Sequence, residues 1–304
     1  VFNRILVPLD GSELAEEVLP LACYLAEQCE ARLILFHVVE KNAPQEVHGQ
    51  RHLREVGEAR EYLDQVARKY SSEKIAIFQD VHEIQENGVA DTICVHTYEL
   101  QADLIVLCAH GHGGLRDVLF GSIAEQVVRQ VMVPVLFVRP ESIKGTEVAP
   151  IKQILIPMDG SPPHEPALPV GVSIANRCQA KIRLLTVIPT PDTLQGKEVL
   201  TGRYFPNVEA LTLDISAQQA ENYLYSLSRN LSSQGASVSV SVLRGDVVSQ
   251  IVDTIETKEI DMVIMATHGH SGFNARWEGS LTPRFLSKAT VPVILVHVTD
   301  TTPE

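Results

Sequence analysis

Short, unbroken apolar runs alternate with amphipathic stretches along the whole chain. Near the start, ILVPL gives way to Asp10-Gly11-Ser12. A stretch from Glu13 to Gln28 follows, in which Leu14, Val18, Leu21, Ala22 and Leu25 recur at helical spacing. LILFHVV then has the length and branching of a buried strand, and a loop and a polar helix over Val56–Lys69 come next. KIAIFQ, a helix near Ala90–Leu100, DLIVLCA, a helix over Ser122–Gln130 and VPVLFV complete the first half. The pattern predicts five strands alternating with four helices. Strands that are apolar throughout are buried on both faces, which calls for a parallel sheet with helices on each side, a doubly wound α/β fold.

The pattern occurs twice. RILVPLDGS from Arg4 returns as QILIPMDGS from Gln153, and ARLILFHVV from Ala31 returns as AKIRLLTVI from Ala180, both at an offset of 149. ADLIVLCAHGHGG from Ala102 matches IDMVIMATHGHSG from Ile260, and VPVLFV from Val133 matches VPVILV from Val291, both at an offset of 158. The extra length falls after Ile188, in PTPDTLQGKEVLTGRYFPN, whose Pro and Gly content predicts a loop. RPESIKGTEVAP, polar with Pro and Gly, reads as the linker. A chain of 304 residues accommodates two domains, each large enough for its own core, expected at residues 1–140 and 151–299.

Composition narrows the function classes. With 45% hydrophobic and 21% charged residues the chain has an average globular make-up, which argues against disorder, collagen and coiled coil. The formal charge of −13, with no basic block, speaks against a nucleic-acid groove or an anionic membrane surface as partner. No apolar run approaches the length of a spanning helix. The opening VFNRILVPLD has no charged segment leading into an apolar one, so no secretory signal is expected at this end. Five scattered Cys without a C-x-x-C pair fit a reducing, cytoplasmic setting.

In open parallel sheets a ligand sits beyond the carboxyl ends of the strands. There the first copy places Pro8-Leu9-Asp10-Gly11-Ser12, and then Cys108-Ala109-His110-Gly111-His112-Gly113-Gly114 leading to Gly121-Ser122 at a helix start. Glycine amides, a hydroxyl and a helix N-terminus are the ingredients of an anion cradle. A turn glycine followed by a capping serine would explain one such loop equally well. Two loops with nine residues between the glycines, Gly111 to Gly121 and Gly269 to Gly279, favour the cradle. Neither is a Walker loop, since no Gly-Lys-Ser/Thr follows, and no dinucleotide fingerprint follows the first strand.

These residues carry a resemblance. VPLDGS, LILFHVV, ADLIVLCAHGHGGL and LFGSIAEQVVRQVMVPVLFVRP resemble the universal stress protein family, over nearly the whole chain as two tandem copies. The resemblance implies Rossmann-like five-stranded domains of strand order 3-2-1-4-5, and ATP binding, with Mg²⁺ accompanying the nucleotide. The implied site comprises Pro8, Leu9, Asp10, Val38, Cys108, His110, Gly111, Gly121, Ser122 and Ile123 in the first copy. In the second it comprises Pro157, Met158, Asp159, Val187, Ala266, His268, Gly269, Gly279, Ser280 and Leu281. The aspartates would accept hydrogen bonds from the ribose or the exocyclic amine, and the valine backbone would line the base. Cys108 and Ala266 stand where the family signature has its first glycine. A left-handed backbone there would cost roughly 1–2 kcal/mol, whereas an extended one would cost nothing unless the Cβ met the phosphates. The last strands of this family pair across a two-fold, so an intrachain pseudo-dimer is expected. A further homodimer is an open alternative.

Other chemistry is less well supported. His110-x-His112 and His268-x-His270 lack two further ligands placed by sequence, so no metal site is assigned. At the end of a buried strand, Cys108 reads as a small hydrophobe before it reads as a reactive thiol. Trp277 either stacks on a base or packs under its loop, and Arg276 either meets phosphate or is solvated. No G-x-S-x-G elbow is present, and the loops lack a lysine clamp, so a regulatory binding protein is favoured over an ATPase. A nucleotide-free interaction scaffold is the other alternative.

Overall fold

The structure is a computed structural model that describes residues 2–40, 46–47, 49–84, 88–109, 121–140, 148–159, 165–193, 206–268 and 281–298, the side chains of 47, 206–209 and 268 excepted. It divides into two compact units, one built on Val1–Pro150 together with Pro292–His297, the other on Ile151–His268.

The first unit is a parallel sheet of β1 (Arg4–Pro8), β2 (Arg32–Glu40), β5 (Ile77–Ile84), β6 (Leu104–Cys108) and β7 (Val135–Val138), in the order β5-β2-β1-β6-β7. By copy number this is the expected 3-2-1-4-5. Strands β1, β6 and β7 are buried nearly end to end, as their unbroken apolar runs require. Strand β5 begins three residues later than KIAIFQ suggests and runs on through DVHEI. Its register on β2, with His37 opposite Val81 and Val39 opposite Glu83, is that of an edge strand that tolerates polar residues. Strand β12 (Val293–Val298) pairs antiparallel with β7, Ile294 opposite Leu136, as expected for the last strands.

The stretch expected as one helix over 13–28 is two. Helix α1 (Glu13–Glu16) stops, and α2 (Leu19–Cys29) restarts with Pro20 in its first turn, where a missing N–H costs nothing. Leu19, Leu21, Ala22, Leu25 and Ala26 form its buried face, and Glu30 closes it in the left-handed conformation at φ 56°. Helices α3 (Val56–Tyr70), α4 (Val89–Glu99) and α5 (Ser122–Gln130) lie where their patterns put them. A two-stranded hairpin, β3 (Glu46–Val47) and β4 (Gln50–Arg51), interrupts the expected loop after β2.

The second unit repeats the scheme with β8 (Gln153–Pro157), β9 (Lys181–Ile188), β10 (Ser237–Arg244) and β11 (Met262–His268), in the order β10-β9-β8-β11. Its described helices are α6 (Ala167–Cys178), α7 (Pro206–Ser233), α8 (Val247–Thr257) and α9 (Leu281–Leu286). The duplication extends to single hydrogen bonds. Asp103 accepts from the amides of Asn3 and Arg4, and Asp261 accepts from those of Lys152 and Gln153, so each first strand is tied to its fourth. None of the five cysteines is in a disulfide. Burial pushes the Cys23 thiol up to about 11, and burial followed by the Asp91 charge pushes Cys94 up to about 12. Among the described residues no helix is long and apolar enough to cross a membrane.

Candidate functional site

A cavity of about 360 Å³ opens at the carboxyl ends of β1, β2 and β6, where an open parallel sheet offers its crevice. Three stretches of the first copy supply its floor. Pro8, Leu9 and Asp10 come from the end of β1, Phe36, His37 and Val38 from β2, and Leu107 and Cys108 from β6. Val89 and Ile93 of α4 line it, and so do Gly121, Ser122 and Ile123 at the start of α5. Eight of the ten first-copy residues implied by the sequence thus share one cavity. The other two, His110 and Gly111, lie outside the described residues.

The turn after β1 is built in detail. Leu9 donates its amide to the Phe36 carbonyl at 2.8 Å, which carries the β1–β2 ladder one residue beyond the strand. Asp10 Oδ1 accepts from the Ser12 amide at 2.9 Å and from the Ser12 hydroxyl at 2.6 Å. Ser12 Oγ in turn accepts from the Ala15 amide at 3.1 Å and caps α1. Between them Gly11 adopts φ +89°, and a Cβ there would come within 3.0 Å of the Leu53 side chain. Gln50 of the hairpin accepts from the Glu13 amide at 2.7 Å, so the hairpin segment is fastened over this turn. Asp10 is therefore first a loop-former. A carboxylate offers about four acceptor positions, of which Ser12 uses two.

The start of α5 separates two readings of Gly121-Ser122. Gly121 itself is the N-cap, at φ −52° and ψ 137°, and no side chain caps the helix. Ser122 is exposed and is not the capping serine of the structural alternative. A Cβ on Gly121 would meet none of the described residues within 4 Å, so packing against them does not demand glycine here.

Cys108 is the last residue of β6, its thiol 3.3 Å from the Leu14 carbonyl, and Ala266 lies inside β11. Neither has positive φ, so the left-handed cost considered for the first signature position does not arise. Burial holds His37 below the ordinary histidine value of 6.5, against the opposing pull of its bond to Leu9. A neutral His37 leaves Asp10, Glu40 and Glu46 as the carboxylates of the lining. Among the described residues no three His, Cys, Asp or Glu side chains form a group able to hold a metal.

The second copy repeats the turn only in part. Met158 donates to the Leu185 carbonyl at 2.7 Å, as Leu9 does to Phe36, but Asp159 is exposed where Asp10 is half-buried. Pro157 ends β8, Val187 lies in β9, Ala266 and His268 lie in β11, and Leu281 begins α9. Gly269, Gly279 and Ser280 lie outside the described residues, as do Arg276 and Trp277.

Sequence reasoning missed Phe36, His37, Glu40, Glu46, His52, Val89 and Ile93 of the lining. Phe36 and His37 flank Val38 on a strand already assigned to the site, so the strand-end rule would have reached them. Glu46 and His52 come from the unexpected hairpin segment, and nothing local marks them.

Known proteins agree with this architecture. The sequence model of the Universal stress protein family matches residues 2–139 and again residues 150–297. Universal stress protein YxiE of Bacillus subtilis is 29% identical over 151 residues, 46% of this chain and 100% of that protein. Universal stress protein Mb2028c of Mycobacterium bovis is 28% identical over 204 residues, 65% of this chain and 62% of that one. Among solved structures, a universal stress protein from Archaeoglobus fulgidus superimposes with a TM-score of 0.70 at 16% identity, covering 98% of this chain and 99% of the other, a likeness of fold. Two matches of the family model, falling on the two halves of a duplicated α/β chain, place this protein in the universal stress protein family as a tandem member.

Proposed function

We propose that the first copy binds an adenine nucleotide in the cavity beside Asp10, and that binding, not turnover, is its role as a cytoplasmic stress-response regulator. The observation that carries this reading is the gathering of Leu9, Asp10, Val38, Cys108 and Gly121–Ile123, four separate stretches of sequence, around one space of about 360 Å³. That volume lies in the range of small-molecule sites. Leu9, Phe36 and Val38 supply apolar surface for the base, and Asp10 accepts from the nucleoside. The amides at the start of α5 direct positive partial charge at the phosphates; His110 and Gly111, outside the described residues, would complete the cradle. Three lining carboxylates repel a bare triphosphate, and Mg²⁺ bound with the nucleotide would offset that charge. Neither a lysine clamp nor a general base is placed beside the phosphates by the residues named, which favours a binding role. The second copy, with Asp159 exposed, is the weaker site.

Calorimetry of the full chain with ATP and Mg²⁺ tests the reading. Gly121→Val is the informative variant, because Gly121 lines the cavity and a Cβ there meets none of the described residues within 4 Å. Saturable binding by the native chain, weakened at least about tenfold in the variant at nearly unchanged melting temperature, is expected. Absence of binding at millimolar nucleotide refutes the proposal.

A further inference from the structure

His37 is almost fully buried in β2 and lines the cavity. Its Nδ1 lies 2.7 Å from the Leu9 carbonyl. A carbonyl can only accept, so Nδ1 carries the proton and donates. Nε2 is left as the unprotonated nitrogen, buried and without a hydrogen-bond partner among the described residues. Protonating it would place a second N–H where nothing accepts, so the ring is held neutral and in one tautomer.

The consequence falls on the turn after β1. The Leu9 amide donates to the Phe36 carbonyl and the Leu9 carbonyl accepts from His37, so both polar backbone groups of Leu9 are pinned to consecutive residues of β2. Asp10 comes next and is held from its other side by Ser12. The second copy provides a natural comparison. Its Met158 amide keeps the bond to β9, but the position of His37 is taken by Thr186, whose buried hydroxyl has no partner among the described residues. Where the imidazole is missing, the aspartate is exposed. Resting on the nucleotide reading above, we infer that His37 is a positioning residue. Its Nδ1–H···O bond to Leu9 sets the Asp10 carboxylate toward a donor group of the nucleoside, a device that only the first copy possesses.

The two nitrogens can be tested separately, because an asparagine amide can stand in for Nδ1–H while lacking Nε2. AMP is titrated into the native chain, His37→Asn, His37→Leu, Asp10→Asn and the His37→Leu/Asp10→Asn double variant, with folding checked by thermal melting. Asp10→Asn keeps an oxygen for Ser12 but alters the acceptor offered to the ligand. His37→Leu should weaken AMP binding about tenfold, and His37→Asn should stay within about threefold of native. In the Asp10→Asn background His37→Leu should cost less than about twofold more, since the two residues act as one unit. Repeating the titration with the monophosphates of 2′-deoxyadenosine, 3′-deoxyadenosine and purine riboside identifies the donor, because the His37→Leu loss should vanish for the analogue that lacks it. Native affinity in His37→Leu, failure of Asn to restore binding, or an undiminished loss in the Asp10→Asn background overturns the role of His37 while leaving nucleotide binding intact. A native chain that binds none of these nucleotides refutes the underlying reading, and His37 falls with it.

Discussion

Gly171, in the middle of α6, sets two familiar effects against each other. Helix propensity alone says that Gly171→Ala should stabilise an interior helical position by about 1 kcal/mol. The structure says otherwise. A Cβ built there would come 2.4 Å from Ile156 Cδ1, 3.5 Å from Ile156 Cγ1 and 3.8 Å from Ile264 Cδ1. Ile156 and Ile264 are both at 0% exposure, on β8 and β11, so the methyl tip has little room to swing away. Overpacking of such a core costs roughly 1–3 kcal/mol. The clash outweighs the propensity gain, and a net loss of up to about 2 kcal/mol is expected. Urea unfolding followed by the fluorescence of Trp277, the single tryptophan and a residue of the second copy, measures it. Ile156→Val removes the offending methyl at a cost of about 0.5–1.5 kcal/mol by itself. Combined with Gly171→Ala it should recover most of the loss, giving a coupling of at least about 1 kcal/mol. A single variant stabilised by the full propensity gain, with additive behaviour in the pair, would refute the reasoning.

Gly11→Ala faces both a backbone at φ +89° and the Leu53 side chain 3.0 Å from the new methyl. It should lower stability by about 1–2 kcal/mol in thermal melts and weaken nucleotide binding with it, because the Asp10–Ser12 turn shifts. A melting temperature equal to native would count against the left-handed turn. His37 contributes to acid sensitivity with a definite sign. Its folded value is lowered by burial, opposed by the Leu9 bond and the Asp10 charge and assisted by His52. The unfolded chain therefore binds this proton first as pH falls below about 6.5, and stability drops until the folded value is passed. Native protein should lose more stability between about pH 7 and 5 than His37→Leu does, and parallel curves would show that His37 does not titrate this way.

Periodicity made most of the fold legible. Ser122–Gln130 is helical over the span its pattern marks, because Val127 and Val128 need a buried stripe and Gly121 ends the preceding loop. Pro20 divided the helix predicted from Glu13 because apolar spacing does not register a missing N–H. Strand β5 was misplaced because its limits are set by pairing with β2, not by its own composition. The site was readable where strand ends and glycines mark it. It was opaque where the wall comes from α4 or from the Glu46–Arg51 hairpin, since which helix covers which strand end is a tertiary fact. The Leu9–His37 bond joins residues 28 positions apart and leaves no local trace at all.

The two elevated thiols bear on how such a chain survives chemical assault. At neutral pH a cysteine with a value near 11 is ionised to about one part in ten thousand, and peroxides attack the ionised form. Cys23, and Cys94 more so, thus offer an oxidant almost nothing to react with. Burial causes both shifts, so unfolding should return the two thiols to ordinary reactivity, and thiol labelling of Cys23 and Cys94 should rise with denaturation.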